Sequence, residues 1–165
     1  MRVSIRPLQE SDALVSYKWR NDPEVFKYTG NVYNNIITLE TELAWIRRVI
    51  QNENEYRCAI LVDDEYVGNI YLTDITRTTA AYHIFIGNKD FWGKGVARTA
   101  SELILEYAFD VLKLEYVYLR VKRENERALL LYKSLGFIIE ESDDVWVKMK
   151  KKKFNIAVIC LLKMN

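Results

Sequence analysis

The stretch "DFWGKGVARTA", residues 90–100, decides the architecture, because it sets Gly93 and Gly95 around a lysine directly before a helix-forming run. It is entered from "AAYHIFIG", residues 80–87, which reads as a strand. It leaves through Val96 to Leu112, which reads as a helix with Ala100, Leu103, Ile104, Tyr107, Ala108 and Val111 on one side. A glycine turn between strand and helix aims successive backbone N–H groups at an anion, and glycine lets the ligand approach with no Cβ in the way. Three phosphate motifs compete. A P-loop is excluded, since Gly93-Lys94-Gly95 has neither its spacing nor a Ser or Thr after the lysine. A dinucleotide fingerprint fits poorly, because this turn follows a run of strands and lacks the third glycine position. The remaining readings are a turn that wraps a pyrophosphate with backbone donors and a plain tight connection.

Working outward, "VSIRPL" alternates and ends at Pro7 as a short strand, and Ser11-Asp12 form an N-cap for a helix through about Trp19. Thr38 precedes a second helix, with Leu39, Leu43, Ile46, Val49 and Ile50 at helical spacing and acidic residues at its start. "RCAILVD" and "YVGNIYLTDI" predict a hairpin turning at residues 63–65. "EYVYLRV" is a strand, "ERALLLYKSL" a helix closed by Gly136, and "FIIEE", "VWVKM" and "FNIAVICLL" supply the last strands. The order β-α-α-β-β-β-α-β-α-β-β implies an α/β fold: one mixed, mostly antiparallel sheet flanked by about four helices. With 2 prolines, 6 glycines and no linker, residues 1–165 read as one domain.

Composition narrows the function classes. The 24 basic and 23 acidic residues nearly cancel, so no nucleic-acid footprint is expected. The run "KMKKKK" at 148–153 reads as a solvated hairpin end. Cys58 and Cys160 sit in apolar runs and read as buried thiols of a reducing compartment. The charged N-terminus has no signal-peptide core, and "IAVICLL" is too short to span a bilayer, so a cytoplasmic chain with no membrane partner is expected.

"DFWGKGVA", then a helix, a strand, Asn125 and "ALLLYKSLGF", resembles the GNAT superfamily of acetyl-CoA-dependent N-acetyltransferases. The likeness runs through "IRPLQESD" and "WRNDPEV" to nearly the whole chain, and is nearest to the branch of ribosomal-protein N-terminal, spermidine and amino-sugar acetyltransferases. The resemblance implies that backbone N–H groups of Trp92, Gly93, Lys94, Gly95, Val96 and Ala97 hold the coenzyme A pyrophosphate. Phe85, Ile86 and Gly87 would lie along the pantetheine arm, in a strand splayed from its neighbour. Asn125, with Ala128 beside it, would contact the cofactor, although Asn125 also reads as a helix N-cap. Tyr132 would protonate the departing thiolate, and the Ile86 backbone N–H would stabilise the oxyanion. Two positions depart from the family pattern. Asp90 stands where Gln or Arg is frequent, which leaves the holding to the backbone. Tyr82 stands where the branch often has a glutamate base.

The general base is therefore open. Candidates are His83, which strand alternation puts opposite Tyr82, Ile84 and Ile86, or a water chain ending at Tyr82 or an acidic residue. The acceptor pocket would draw on Arg20, Asp22, Glu24, Tyr28 and Trp45, whose carboxylates would suit a polyamine or amino sugar. The leading expectation is direct acetyl transfer to a small-molecule amine, with acetyl-CoA as co-substrate and no metal. A peptide N-terminus or lysine is the alternative acceptor, and a non-catalytic coenzyme A-binding module is the alternative of another class. A homodimer through the C-terminal strand is a further possibility.

Overall fold

The structure is a computed structural model that describes residues 1–28 and 35–153. Seven strands form one sheet: β1 (Val3–Pro7), β2 (Tyr56–Val62), β3 (Glu65–Thr73), β4 (Thr79–Ile86), β5 (Tyr116–Lys122), β6 (Ile138–Ser142) and β7 (Trp146–Lys152). Their spatial order is β1-β2-β3-β4-β5-β7-β6, and β4–β5 is the parallel pair among antiparallel neighbours. Among the described residues four α-helices accompany them: α1 (Ala13–Arg20), α2 (Leu39–Val49), α3 (Val96–Glu106) and α4 (Glu126–Ser134).

Strand alternation divides the packing into two cores. Cys58, Ile60, Ile70, Leu72 and Tyr82 face α3 and α4, where they meet Val96, Ala100, Ile104 and Tyr132. Ala59 points the other way and packs with Ala13 of α1 and Ile46 of α2. The two helix pairs thus cover opposite faces, each burying the stripe that its own periodicity creates.

Local chemistry sets the element ends. Thr38 caps α2, its hydroxyl accepting from the Thr41 N–H at 3.2 Å. The β2–β3 hairpin turns on Asp63 and Asp64, both at positive φ, which Asp tolerates better than most residues. Gly136, at φ 88°, closes α4 in the left-handed region as expected.

Four expectations need correction or lie elsewhere. The first helix is preceded by a tighter turn at Glu10–Asp12, and the Asp12 carboxylate reaches back to the Gln9 N–H (2.8 Å) while gripping Arg6 with both oxygens. The third helix is not regular through Leu112, because it widens at Tyr107–Val111 into i→i+5 turns. The lysine run is not a hairpin end: residues 148–152 lie inside β7, where alternation and Glu140 (3.1 Å to Lys148, 3.3 Å to Lys150) accommodate the charge. The expected strand "FNIAVICLL" and Cys160 lie outside the described residues.

Candidate active site

Ala81 and Tyr118 are the last paired residues of β4 and β5. Beyond them β4 stays with β3 as far as Ile86–Gly68, while β5 stays with β7 as far as Lys122–Trp146. A wedge opens between the two strands. Gly87 donates to the Val67 carbonyl at 2.8 Å, so in the antiparallel register Phe85 and His83 spend their backbone groups on β3. Ile84 and Ile86, past the last parallel pair, then turn theirs into the wedge. The Ile86 carbonyl is taken by the Trp92 indole N–H (2.8 Å), and the Ile86 N–H faces the gap.

At the wedge mouth the chain makes its glycine turn. Gly93 and Gly95 have φ of 74° and 80°, and a Cβ on Gly95 would meet no protein atom within 4 Å. The first bond of α3 runs from the Thr99 N–H to the Gly95 carbonyl, so the N–H groups of Val96, Ala97 and Arg98 have no partner within the helix. Their partial positive charge favours an anion here. From α4, the Arg127 guanidinium arrives beside the turn, with Nη2 2.9 Å from where a Gly93 Cβ would stand.

Asn125 and Tyr132 flank the wedge from α4. Asn125 Oδ1 caps that helix by accepting from the Ala128 N–H at 3.2 Å, which leaves its amide N–H₂ for other partners. Tyr132 is buried, edge-on to Tyr82 and Phe137 with centroids 5.8 and 5.9 Å away. Burial pushes its phenol up to about 12, so it holds its proton at neutral pH. Tyr82 donates to Ser101 Oγ (2.6 Å), which itself donates to the Ala97 carbonyl (2.6 Å). Complete burial raises Tyr82 well above its ordinary value of 10.0. Tyr82 therefore cannot end a proton-accepting chain, which corrects its candidacy as base. It supports the Tyr132 ring instead.

On the opposite face of the sheet, rings and guanidinium groups form a second wall. The guanidinium groups of Arg20 and Arg57 lie over the Trp45 ring, at 4.6 and 5.0 Å from its centre, and Arg57 also covers Tyr71 at 4.4 Å. Glu42 anchors this ladder from within: it is 1% exposed, accepts from Ser16 Oγ at 2.7 Å and pairs with Arg20 at 3.2 Å. Arg57 is neutralised in turn by Glu55. Phe26 and Phe85 close the wall with rings 5.2 Å apart. His83 lies on this face, its Nε2 3.0 Å from Thr73 Oγ1.

These parts line one continuous cleft of about 1330 Å³, larger than the roughly 300–1,000 Å³ usual for one small ligand. Of the residues singled out from sequence, Arg20, Glu24, Tyr28, Trp45, Tyr82, His83, Phe85, Ile86, Trp92, Gly93, Gly95, Val96, Ala97, Asn125, Ala128 and Tyr132 line it. Three do not. Gly87 spends its N–H on Val67 and exists to admit the Trp19 ring, which any Cβ would strike. Lys94 leans over Phe91. Asp22 is held with Glu24 by Lys89, each at 2.9 Å, so the pair does not form an open acidic subsite. Sequence reading missed Arg57, Tyr71, Thr73, Asp74 and Arg127. Alternation on β3 through Tyr71 and Thr73 was the available signal, whereas Arg127 depends on how α4 docks.

No group of three or more His, Cys, Asp or Glu able to hold a metal occurs among the described residues, and none of their helices is long and apolar enough to cross a membrane. Comparison with known proteins gives a match to the acetyltransferase (GNAT) domain over residues 2–138. The chain is 31% identical to spermidine N(1)-acetyltransferase of Escherichia coli over 84% of its own length and 74% of that protein. It is 27% identical to acetyltransferase PseH of Campylobacter jejuni, over 87% and 89% of the two chains. Its fold matches the crystal structure of spermidine N-acetyltransferase from Vibrio cholerae in complex with CoA and spermine, with a TM-score of 0.82 at 23% identity over 91% and 95% of the chains.

Proposed function

We propose, for a chain that belongs to the acetyltransferase (GNAT) domain family, that the amine it acetylates is carried by a small molecule of the polyamine or amino-sugar class. The chain is an acetyl-CoA-dependent N-acetyltransferase. The observation that carries the acceptor reading is the single cleft, which runs from the glycine turn to a wall of stacked rings and guanidinium groups. The named activity of the polyamine-acetylating relative from Escherichia coli supports it.

Each end has its own work. In this reading the N–H groups from Gly93 to Ala97 grip the pyrophosphate, helped by Arg127 and the Asn125 amide, whereas the Trp92 N–H, expected to join them, is spent on the Lys89 carbonyl at 3.0 Å. The unpaired backbone of Ile84 and Ile86 aligns the pantetheine arm as an added strand would be aligned. Bound acetyl-CoA supplies an acyl thioester as the activated group. The Ile86 N–H then points at the thioester oxygen, where a fixed dipole stabilises developing negative charge. Tyr132, protonated and poorly solvated, is placed to give its proton to the sulfur.

The test is thiol release from acetyl-CoA over a panel of polyamines, amino sugars and peptides. Turnover confined to small amines supports the reading. Turnover on peptides alone replaces it with a protein acetyltransferase, and binding without turnover replaces it with a coenzyme A-binding module.

A further inference from the structure

Acetyl transfer requires a free amine, so an acceptor ammonium must lose a proton before it attacks. We propose that His83 takes that proton through water at the acceptor end of the cleft, with Thr73 and Asp74 as the positioning residues that fix its tautomer. The proposal rests on the acetyl-transfer reading above.

Three features of the fold place His83 for this role. Alternation turns its ring onto the acceptor face with Tyr71 and Phe85, away from the Tyr82–Ser101 pair. His83 lines the cleft and keeps part of its surface exposed, while the groups packed around its ring remove much of the ring's hydration. It is three residues from Ile86, about 10 Å along the strand, a span that side-chain length and one or two waters cover.

The hydrogen bonds choose the nitrogen. Thr73 Oγ1 is 3.0 Å from His83 Nε2 and 3.5 Å from Asp74 Oδ2. A threonine hydroxyl has one proton, and a carboxylate can only accept. Donation to Asp74 leaves the oxygen to accept from Nε2–H, so Nδ1 keeps its lone pair. Nδ1 is then the proton acceptor.

The charges around the ring agree. Glu55 and Arg57 act on it from β2 and the turn before it and Asp74 from the end of β3, while Tyr71 of β3 and Arg120 of β5 line the same cleft. Loss of hydration is the largest effect and lowers the imidazole below 6.5; Arg57 adds to it, while Asp74 and Glu55 oppose. At neutral pH the ring is uncharged and able to accept.

The step balances without another reactant. An N–H bond of the ammonium breaks and its proton passes through water to Nδ1. The nitrogen keeps the electron pair and forms the C–N bond as the C–S bond opens; Tyr132 supplies the sulfur's proton, and the second N–H proton, lost as the amide forms, returns through water to the Tyr132 oxygen. The imidazolium returns its proton to bulk water from its exposed edge.

The experiment is the pH dependence of kcat/KM from pH 5 to 9 for the wild type, His83→Gln and Thr73→Val, using the amine that turns over fastest. We expect His83→Gln to lose about 10²-fold at pH 7.5 and to lack the wild type's acidic limb below 6.5. Thr73→Val, which frees the tautomer, should lose about fivefold and move that limb. Imidazole added to His83→Ala should restore part of the rate. An unchanged acidic limb in His83→Gln overturns the proposal even if the rate falls. A wild type that releases no thiol with any amine overturns the acetyl-transfer reading, and the role of His83 with it.

Discussion

Ala81 and Tyr118 close the parallel contact between β4 and β5, and every part of the cleft is arranged around the point where they part. The crossover between these strands is α3, whose N-terminus therefore opens at the carboxyl end of β4. In open sheets ligands bind outside the carboxyl ends of parallel strands, where neighbouring connections diverge. Here the divergence supplies more than space. It leaves the backbone groups of Ile84 and Ile86 without partners on β5 while antiparallel neighbours keep both strands rigid.

Tyr132→Phe removes one hydroxyl and leaves the ring packed against Tyr82 and Phe137. If that hydroxyl protonates the sulfur, kcat should fall by about 10²–10⁴-fold. Acetyl-CoA affinity, measured by calorimetry, should change by less than about threefold, since the ring and the turn are untouched. Because burial raises this phenol to about 12, the wild-type rate should show no alkaline loss from Tyr132 below pH 10. Unaltered turnover in the variant would remove Tyr132 from the mechanism.

Gly95→Ala tests the turn. At φ 80° an alanine is strained by about 1–2 kcal/mol, although its Cβ meets no protein atom within 4 Å. Thermal melting should therefore fall by several degrees. Acetyl-CoA binding should weaken by at least about tenfold, because the added methyl occupies the side from which the phosphates approach. Unchanged affinity at a lowered melting temperature would separate the turn from the phosphates.

Glu42→Ala breaks the anchor of the acceptor wall. The carboxylate is buried between Ser16 and Arg20, and removing one member of a buried pair costs about 3–5 kcal/mol. For a chain of 165 residues that is about 10 °C of melting temperature. The acceptor KM should rise more than that of acetyl-CoA, since Arg20 holds Trp45 and the glycine turn lies on the other side of the sheet.

Local chemistry made most of the frame legible in the sequence. Period-two and helical spacings marked the seven strands and four helices, and the Thr38 cap and Gly136 stop marked their ends. The glycine turn and the helix behind it were readable because they are contiguous in the sequence. The wall proposed for the acceptor was not, because side chains from α1, α2, β2, β3 and β4 meet there only after folding. Asp22 and Glu24 looked like open acidic groups because their neutraliser, Lys89, is more than sixty positions away. Tyr82 looked like a base because sequence alone does not show Ser101 beneath it.

Lys89 ties the segment after α1 to the turn before Trp92 by bonding both Asp22 and Glu24 at 2.9 Å. Glu24 lines the cleft, so Lys89→Met should release a carboxylate toward a cationic acceptor. The clamp is half-exposed, so the effect is modest: about a fivefold rise in kcat/KM for spermidine relative to a neutral amino sugar, shrinking at high salt. The Lys89 ammonium lowers the Asp22 pKa below 3.8. The clamp's contribution is thus complete above pH 3.8 and is lost only as pH falls through that lowered value. The substrate ratio should accordingly show no clamp-dependent change between pH 6 and 8 in the wild type. A Lys89→Met ratio equal to the wild type's would mean that Glu24, once freed, does not reach the acceptor, and that Arg20, Trp45 and Arg57 set the preference without it.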